Sequence, residues 1–235
     1  MAEENIFYFK QFSIRHDRCA MKVGTDGVLL GAWASVDDAR SALDVGTGTG
    51  LIALMLAQRN SRLRVVGVEI DEEAARQAKE NAAASPWPGR IKMVQADFRN
   101  METGDAHFDL IVSNPPFFTE QTGCPDTARH VARHVSALPT AVLMEKAGQM
   151  LNEEGRLSLI VPSSAATEVI GEAALRCLFL SRRTDVKTTP RKAAKRTLLE
   201  FSRKPVPCEA TTLTLRGADN QMNPEYRELT EEFYL

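Results

Sequence analysis

Short apolar runs alternate with longer amphipathic stretches from residue 41 onward. The apolar runs predict strands near 41–45, 64–69, 91–96, 108–113 and 155–161. The amphipathic stretches predict helices near 49–59, 72–84, 138–152 and 164–178, with Gly155 marking a helix-to-strand turn. Alternation of this kind predicts a parallel sheet with helices on both of its faces.

The pattern changes towards both ends of the chain. Thr25-Asp26 predicts a helix start within an N-terminal extension over 1–40, which precedes a single domain over 41–235. Beyond residue 180 the pattern predicts strands near 182–188, 197–202 and 211–216, and a closing helix near 226–234. Residues 119–137 lack strong periodicity, which favours a long loop over the candidate site.

A glycine-rich segment follows the first strand of the alternating region. Residues 43–50 read Leu-Asp-Val-Gly-Thr-Gly-Thr-Gly, so the glycines fall at 46, 48 and 50. The dinucleotide-binding fingerprint instead requires glycine at the first, third and sixth positions, and Leu51 occupies the sixth. Asp44 would crowd a pyrophosphate, but it suits the cationic amino group of S-adenosylmethionine. The segment therefore favours that ligand over a dinucleotide.

Acidic residues follow the next two predicted strands. Glu69 lies at the distance from the glycines at which an acid receives ribose hydroxyls. Because NAD-binding proteins share this feature, Glu69 alone leaves the ligand open. Asp97 can accept a hydrogen bond from an adenine amino group, with Phe98 beside the ring, although a solvent-facing role for Asp97 fits equally well. Since the carboxyl ends of parallel strands meet at one edge, these acids are expected to share a crevice with the glycines.

The tetrapeptide Asn-Pro-Pro-Phe at 114–117 directly follows the predicted strand 108–113. The Asn114 side-chain oxygen and a backbone carbonyl can accept both hydrogens of a conjugated amine, which directs the nitrogen lone pair at an electrophile. Two prolines stiffen the loop, and Phe117 offers a ring face for stacking. Taken alone, the tetrapeptide also fits a plain strand followed by a loop stop. The preceding glycines and acids favour methylation of an amino nitrogen.

The ordered glycine loop, Glu69, Asp97 and Asn-Pro-Pro-Phe resemble the class I S-adenosylmethionine-dependent methyltransferases that act on amino nitrogens. The chain is most similar to the bacterial family that methylates N6 of the adenine beside the anticodon of tRNA(Val). The stretch 9–27 carries the most specific part of this similarity. The family commonly has Tyr where this chain has Phe117, and either ring can stack.

This resemblance implies a fold, a reaction and a substrate. The fold is α/β and Rossmann-like, with a seven-stranded, mostly parallel sheet whose last strand is antiparallel. The expected reaction transfers a methyl group from S-adenosylmethionine to N6 of an adenine in tRNA, with adenine 37 of tRNA1(Val) as the expected target. Tyrosine or phenylalanine at position 117 is compatible with this chemistry.

The resemblance also implies which residues form the site. The catalytic loop is expected to comprise Asn114, Pro115, Pro116 and Phe117. The expected cofactor contacts are Lys22, Gly24, Thr25, Asp26, Asp44, Gly46, Thr47, Gly48, Gly50, Glu69, Ile70, Asp97, Phe98 and Asn114. Among these, Lys22 to Asp26 are expected to close over the methionine part of the cofactor, and a helix cap is the alternative role for them.

Basic residues are concentrated in one segment of a chain whose net charge is −2. Residues 176–204 contain ten Lys and Arg against two acidic residues. Such a local excess can bind RNA phosphates, and a solvated basic face is the alternative. The expected RNA contacts are Arg129, Arg133, Arg191, Lys192, Lys195 and Arg196.

Composition narrows the class of protein further. The 235 residues suit one α/β domain, and no apolar stretch approaches the roughly 18 residues that span a bilayer. The N-terminus lacks an apolar signal core, so a cytoplasmic protein without a membrane partner is expected. Four scattered cysteines favour free thiols. No metal site is expected, although His130 and His134 have helical spacing.

Three rival functions stay open on the sequence. They are methylation of guanine N2 in rRNA, methylation of a glutamine side-chain amide in a protein, and a non-catalytic RNA-binding module. The basic segment 176–204 and the N-terminal similarity argue against the protein substrate. The intact glycine loop and Asn114 argue against a module without catalysis.

Overall fold

Ten strands and six α-helices make up the part of the chain described by the computed structural model, which comprises residues 5–102, 107–117 and 138–235. The strands are β1 Ile6–Tyr8, β2 Ser13–Arg15, β3 Ser41–Val45, β4 Arg64–Glu69, β5 Ile91–Gln95, β6 Phe108–Ser113, β7 Leu151–Pro162, β8 Phe179–Lys187, β9 Arg196–Ser202 and β10 Glu209–Thr214. The helices are α1 Thr25–Trp33, α2 Leu51–Arg59, α3 Glu72–Ala84, α4 Thr140–Met150, α5 Ala166–Ala174 and α6 Pro224–Thr230.

Eight of the strands form one sheet, in the order β10-β8-β9-β7-β6-β3-β4-β5. The pairs from β7 through β6, β3 and β4 to β5 are parallel, as the alternating pattern predicts. Strand β9 is antiparallel to both of its neighbours, so the predicted reversal is confirmed. The sheet has eight strands rather than seven, because β10 pairs in parallel with β8 and extends the edge.

Three predicted boundaries are wrong, and all of them concern helix ends. The closing helix predicted near 226–234 ends at Thr230. The helix predicted over 164–178 stops at Ala174, and Cys177 adopts a φ of 55°, which a continuing helix cannot contain. The predicted turn at Gly155 lies inside β7, which begins directly after α4. Leu151 already pairs with Phe108, and a bulge in the pairing absorbs the polar residues before Gly155.

Helices cover both faces of the large sheet. On one face α1, α2 and α3 share an apolar core with the N-terminal hairpin and the C-terminal segment, including Phe9, Ile14 and Phe233. On the other face α4 and α5 pack through residues such as Leu143, Met144 and Val169. The described N-terminal residues therefore share a core with the rest of the domain. No helix among the described residues is long and apolar enough to cross a membrane.

Candidate active site

The carboxyl ends of β3, β4, β5 and β6 lie side by side at one edge of the sheet. Val45 pairs with both Val68 and Ser113, and Glu69 pairs with Gln95. The glycine segment, Glu69, Asp97 and Asn114 follow these strand ends directly. The structure thus brings the predicted residues to one crevice, as expected for ligand sites in open α/β sheets.

The glycine loop turns sharply between β3 and α2. Gly46, Gly48 and Gly50 have φ values of 71°, 55° and 83°, which residues with a Cβ atom rarely adopt. The amides of Gly46 and Thr47 donate to the Val68 carbonyl at 2.9 and 3.0 Å, which fixes the loop against the end of β4. The backbone of this loop and the start of α2 are therefore held beside the crevice, as in other glycine loops that bind ligands.

The Glu69 carboxylate is held by three backbone amides. Gly48 donates to its Oε2 at 2.9 Å, while Ile70 and Asp71 donate to its Oε1 at 2.9 and 3.1 Å. These bonds orient the carboxylate next to the glycine loop. Because two oxygens offer about four acceptor positions and three are used, the group can still receive a hydroxyl donor from a ligand.

Asp44 is a fully buried carboxyl group at the end of β3. Its Oδ2 accepts from the Thr47 hydroxyl at 2.5 Å and from the Ala53 amide at 3.2 Å. Within the described residues its Oδ1 has no hydrogen-bond partner. Burial raises the pKa of Asp44 from 3.8 to about 7, and the charge of Glu69 adds to the increase. A cationic group of a ligand would stabilise both acids, which fits the amino group of S-adenosylmethionine.

The raised pKa of Asp44 leads to a pH-dependence that can be measured. Because the native protein takes up this proton before the unfolded chain does, we expect the free energy of unfolding to fall as pH rises from about 4 to about 7. Asp44→Asn should remove this component. Thermal unfolding of both proteins from pH 4.5 to 8 measures the difference, and equal pH-dependence would contradict the assignment.

Asp97, Phe98 and Ile70, the predicted contacts on the adenine side, differ in their partners and in their exposure. Both Asp97 oxygens accept from the Arg99 side chain, and the guanidinium lowers the pKa of that acid. An adenine contact at Asp97 stays a prediction and would compete with these bonds. Phe98 is only 5% exposed and belongs to the apolar core, and its contact with the adenine ring stays a prediction. Ile70 exposes an apolar side chain next to Glu69.

Residues 16–26 form a strap that is irregular up to Gly24 and ends in the first two residues of α1. The Val23 amide donates to His16 Nδ1 at 3.5 Å, which closes the strap on itself. A Cβ atom added to Gly48 would lie 3.4 Å from the Cys19 sulfur, so the strap passes directly over the glycine loop. Lys22, Gly24 and Thr25 are exposed on it. Their contact with the cofactor stays a prediction.

Buried amides on α3 hold the start of the strap. The Asn81 amide donates to the carbonyls of Arg15 and Thr49, both at 2.9 Å, and thereby joins the N-terminal segment to the glycine loop. Gln77 donates to the Asp17 carboxylate at 2.6 Å. The sequence alone did not predict this role for Gln77 and Asn81. The available signal is that Gln77 and Asn81 fall on the same face of α3 as its buried alanines.

An ion pair holds the other end of the strap. Arg196, the first residue of β9, donates from Nε to the Asp26 carboxylate at 2.7 Å. The predicted RNA contact and the predicted cofactor contact therefore bind each other. Asp26 lies in the first turn of α1, where its negative charge interacts favourably with the helix dipole, while the Gly24 cap contributes no side-chain hydrogen bond.

The Asn-Pro-Pro-Phe loop leaves β6 beside the glycine loop. The Ser113 hydroxyl donates to the Val45 carbonyl at 2.8 Å and ties the two strand ends together. Asn114, Pro115 and Phe117 are partly buried, and Pro116 is exposed. No hydrogen bond joins the Asn114 side chain to another described residue. Its amide is thus available to a substrate.

The basic segment separates into paired and unpaired residues. Six of its cations bind an acid or a backbone carbonyl: Arg176 with Glu172, Arg182 with Glu200, Arg183 with Asp185, Arg196 with Asp26, Arg203 with the Leu151 carbonyl, and Lys204 with Glu153 and Glu154. The Arg182 guanidinium also lies 3.7 Å from the centre of the Trp33 ring. These contacts assign several of the cations to structural roles.

The unpaired cations lie at the end of β8 and on the loop between β8 and β9. Among the described residues, Lys187, Arg191, Lys192 and Lys195 form no ion pair, and the last three are exposed. Arg196 pairs with Pro162 at the carboxyl end of β7, so this loop lies at the same edge of the sheet as the crevice. Arg129 and Arg133, predicted as RNA contacts, lie outside the described residues, as does the predicted loop 119–137.

Comparison with known proteins identifies relatives over nearly the whole chain. Residues 23–187 match the family model "Methyltransferase small domain". A Bacteroides thetaiotaomicron protein named tRNA1(Val) (adenine(37)-N6)-methyltransferase is 47% identical over 230 residues, which is 97% of each chain. A Trichodesmium erythraeum protein of the same name is 46% identical over 98% of each chain.

Solved structures show a similar fold at lower identity. The crystal structure of a predicted O-methyltransferase from Agrobacterium tumefaciens superposes with a TM-score of 0.68 at 22% identity. The match covers 88% of this chain and 96% of the other. This likeness supports the fold alone, since catalytic groups vary among proteins that share it.

Proposed function

The chain belongs to the methyltransferase small domain family, and because its relatives are named tRNA1(Val) (adenine(37)-N6)-methyltransferase, we propose that it methylates N6 of adenine 37 in tRNA1(Val). The observation that carries the proposal is identity of 47% over 97% of both chains. Similarity over this length includes the crevice, the strap and the basic loop. It favours adenine in tRNA over guanine in rRNA or glutamine in a protein.

S-adenosylmethionine supplies a methyl group on a sulfonium centre, which is already an excellent leaving group. Glu69 would receive the ribose hydroxyls, and Asp44 suits the cationic amino group because its buried Oδ1 lacks a partner among the described residues. Residues 1–40, through the strap, would close over the methionine part. None of these three contacts requires a metal ion.

Asn114 would hold the target amine. Its side-chain oxygen accepts one N6 hydrogen, and the Pro115 carbonyl accepts the other. This draws the nitrogen towards tetrahedral geometry and frees its lone pair, so the main contribution of the protein is orientation of the two partners. Phe117 would stack on the base after it leaves its RNA context. The nitrogen becomes acidic as it gains the methyl group, so a strong general base is not required.

Nucleoside analysis tests the proposed reaction directly. The purified protein, incubated with S-adenosylmethionine and unmodified tRNA1(Val), should produce N6-methyladenosine that mass spectrometry locates at position 37. A transcript with guanosine at position 37 serves as the matched control and should stay unmodified. Methylation of that control at a guanine amino group, or absence of methylation in both RNAs, would contradict the proposal.

The exposed cations of the β8–β9 loop support tRNA as the partner, and a tRNA substrate implies a cytoplasmic location. Arg191, Lys192 and Lys195 are the predicted contacts that are free to bind phosphates. Arg196 can contribute only as far as its pair with Asp26 allows. Because the whole chain has a net charge of −2, RNA would be attracted by a local cluster such as this one rather than by the overall charge.

Replacing Arg191, Lys192 and Lys195 together with Ala should weaken tRNA binding in a salt-dependent way. We expect the slope of log K against log salt to flatten by about 0.7–0.9 for each phosphate that the variant no longer neutralises. The Michaelis constant for tRNA should rise, and cofactor affinity should stay unchanged. Titrations at several salt concentrations measure both quantities.

A matched control for this variant lies at the opposite edge of the sheet. Arg176 and Lys204 belong to the same basic segment, but each binds an acidic side chain. Replacing both with Ala should leave the salt slope unchanged. Equal slopes for the triple variant and the wild type would remove the loop from the RNA site.

A further inference from the structure

A cavity of about 440 Å³ lies behind the catalytic loop, on the face of the sheet covered by α4 and α5. Pro115, Pro116 and Phe117 form one wall, and Leu143 and Val169 belong to the two helices opposite. Neither Asn114 nor the glycine loop is among its lining residues in the described part of the chain. The cavity thus adjoins the catalytic loop through Pro115, Pro116 and Phe117, and its described lining does not include the residues that follow β3 and β4.

The cavity also lies close to the exposed cations of the β8–β9 loop. Glu168, one of its lining residues, is in the first turn of α5. The short turn that precedes α5 begins at Ser163, whose amide donates to the Lys195 carbonyl at 3.2 Å. This bond places the turn before α5 beside the β8–β9 loop, so an RNA strand bound to Lys195 would lie near the side of the cavity that Glu168 lines.

The size and lining of the cavity fit a nucleobase. Ligand pockets of about 300–1,000 Å³ are mostly apolar and carry a few polar groups that fix orientation. Here prolines, Phe117 and aliphatic side chains provide the apolar surface, and Glu168 provides a carboxylate at the rim. Because an adenine whose N6 is at Asn114 would include Asn114 in its surroundings, the occupant is a different base.

We propose that this cavity receives a nucleobase that neighbours the target adenine in the RNA, and that Glu168 recognises the edge of that base. The inference rests on the proposed function. Bases of single-stranded loops are commonly splayed out, stacked on aromatic rings and recognised at their edges. A carboxylate accepts from amino groups such as N4 of cytosine. Uracil has no amino group, and its N3–H donor lies between two carbonyl oxygens that the carboxylate repels, so it is the least favoured occupant.

Anticodon stem-loop RNAs with single changes beside the target adenine provide the test. An abasic nucleotide at one of the two neighbouring positions should lower kcat/KM of the wild type by roughly 5- to 150-fold, mainly through KM. Thr140→Trp, which fills the cavity from the first residue of α4, should make the enzyme insensitive to the same abasic change. Thermal unfolding and S-adenosylmethionine binding verify that this variant is folded.

A second pair of variants tests the role of Glu168. Glu168→Gln should reduce the discrimination between amino-bearing bases and uracil at the neighbouring position. Glu172→Gln, one turn later on α5, is the matched control, because Glu172 binds Arg176 and does not line the cavity. It should keep the discrimination of the wild type.

The outcomes separate this inference from the proposed function. Equal activity on intact RNA and on both neighbouring abasic RNAs would overturn the cavity as a base site. So would an equal abasic effect in the wild type and in Thr140→Trp, or unchanged base preference in Glu168→Gln. Failure of the wild type to methylate the intact RNA would instead overturn the proposed function.

Discussion

Asn114→Ala is expected to slow methyl transfer by about 10²-fold or more while leaving S-adenosylmethionine affinity and thermal stability near wild type. The effect is large because misplacement of a reacting group by about 1 Å already costs on the order of 10²-fold. Stability should change little, since the Asn114 side chain forms no hydrogen bond with the other described residues. Single-turnover kinetics with saturating tRNA isolates the chemical step from binding.

Two neighbouring variants make this result specific to the amide. Asn114→Asp keeps an acceptor oxygen in place of the amide oxygen and should retain more activity than Asn114→Ala. Ser113→Ala removes the hydroxyl that binds the Val45 carbonyl and tests whether the position of the loop alone controls the rate. Normal turnover in Asn114→Ala would show that Asn114 is an ordinary loop residue and that the amine is oriented by other groups.

Glu69→Ala is expected to weaken S-adenosylmethionine binding by roughly 10- to 150-fold, which corresponds to about 1.5–3 kcal/mol for a charged hydrogen bond. The effect has two sources. First, the ribose hydroxyls of the cofactor lose their acceptor. Second, the three backbone amides that donate to the Glu69 carboxylate also lose theirs. Calorimetry with S-adenosylmethionine, S-adenosylhomocysteine and NAD measures affinity and ligand choice together, and the wild type should not bind NAD.

Glu69→Gln distinguishes these two sources. A glutamine side chain would direct its N–H donors at one or more of the three backbone amides, which are donors themselves. It therefore cannot reproduce the geometry that anchors Glu69. We therefore expect this nearly isosteric variant to lose affinity as well. Wild-type affinity in Glu69→Gln would mean that neither the charge nor the amide contacts matter, and preferential NAD binding by the wild type would overturn the cofactor assignment.

Residues at strand ends could be predicted from sequence because one rule of parallel sheets brings them together. Apolar runs give the position of β3, β4, β5 and β6, and the carboxyl ends of such strands meet at one edge. Asp44, Glu69 and Asn114 follow those runs directly, so their common location needed no long-range information. The reversal of β9 came from the family resemblance rather than from periodicity.

The contacts that anchor the strap could not be predicted in the same way. Asp26 and Arg196 are 170 positions apart, and nothing in the local sequence indicates that they pair. Arg196 instead belongs to a run of cations, which by composition predicts only a surface for phosphates. The burial of the Phe98 ring could not be predicted from the sequence either. It depends on how α4 packs on the sheet, and the pattern of strand ends gives no information about that packing.

The ion pair between Asp26 and Arg196 constrains how this sequence can diverge. Removal of Arg196 alone would leave a carboxylate unpaired beside a surface that attracts phosphates, where it would repel RNA. Removal of Asp26 alone would add an unpaired cation to that surface and release the start of α1. The two positions are therefore expected to covary among related sequences, so that descendants keep both charges, replace both with neutral residues, or exchange them.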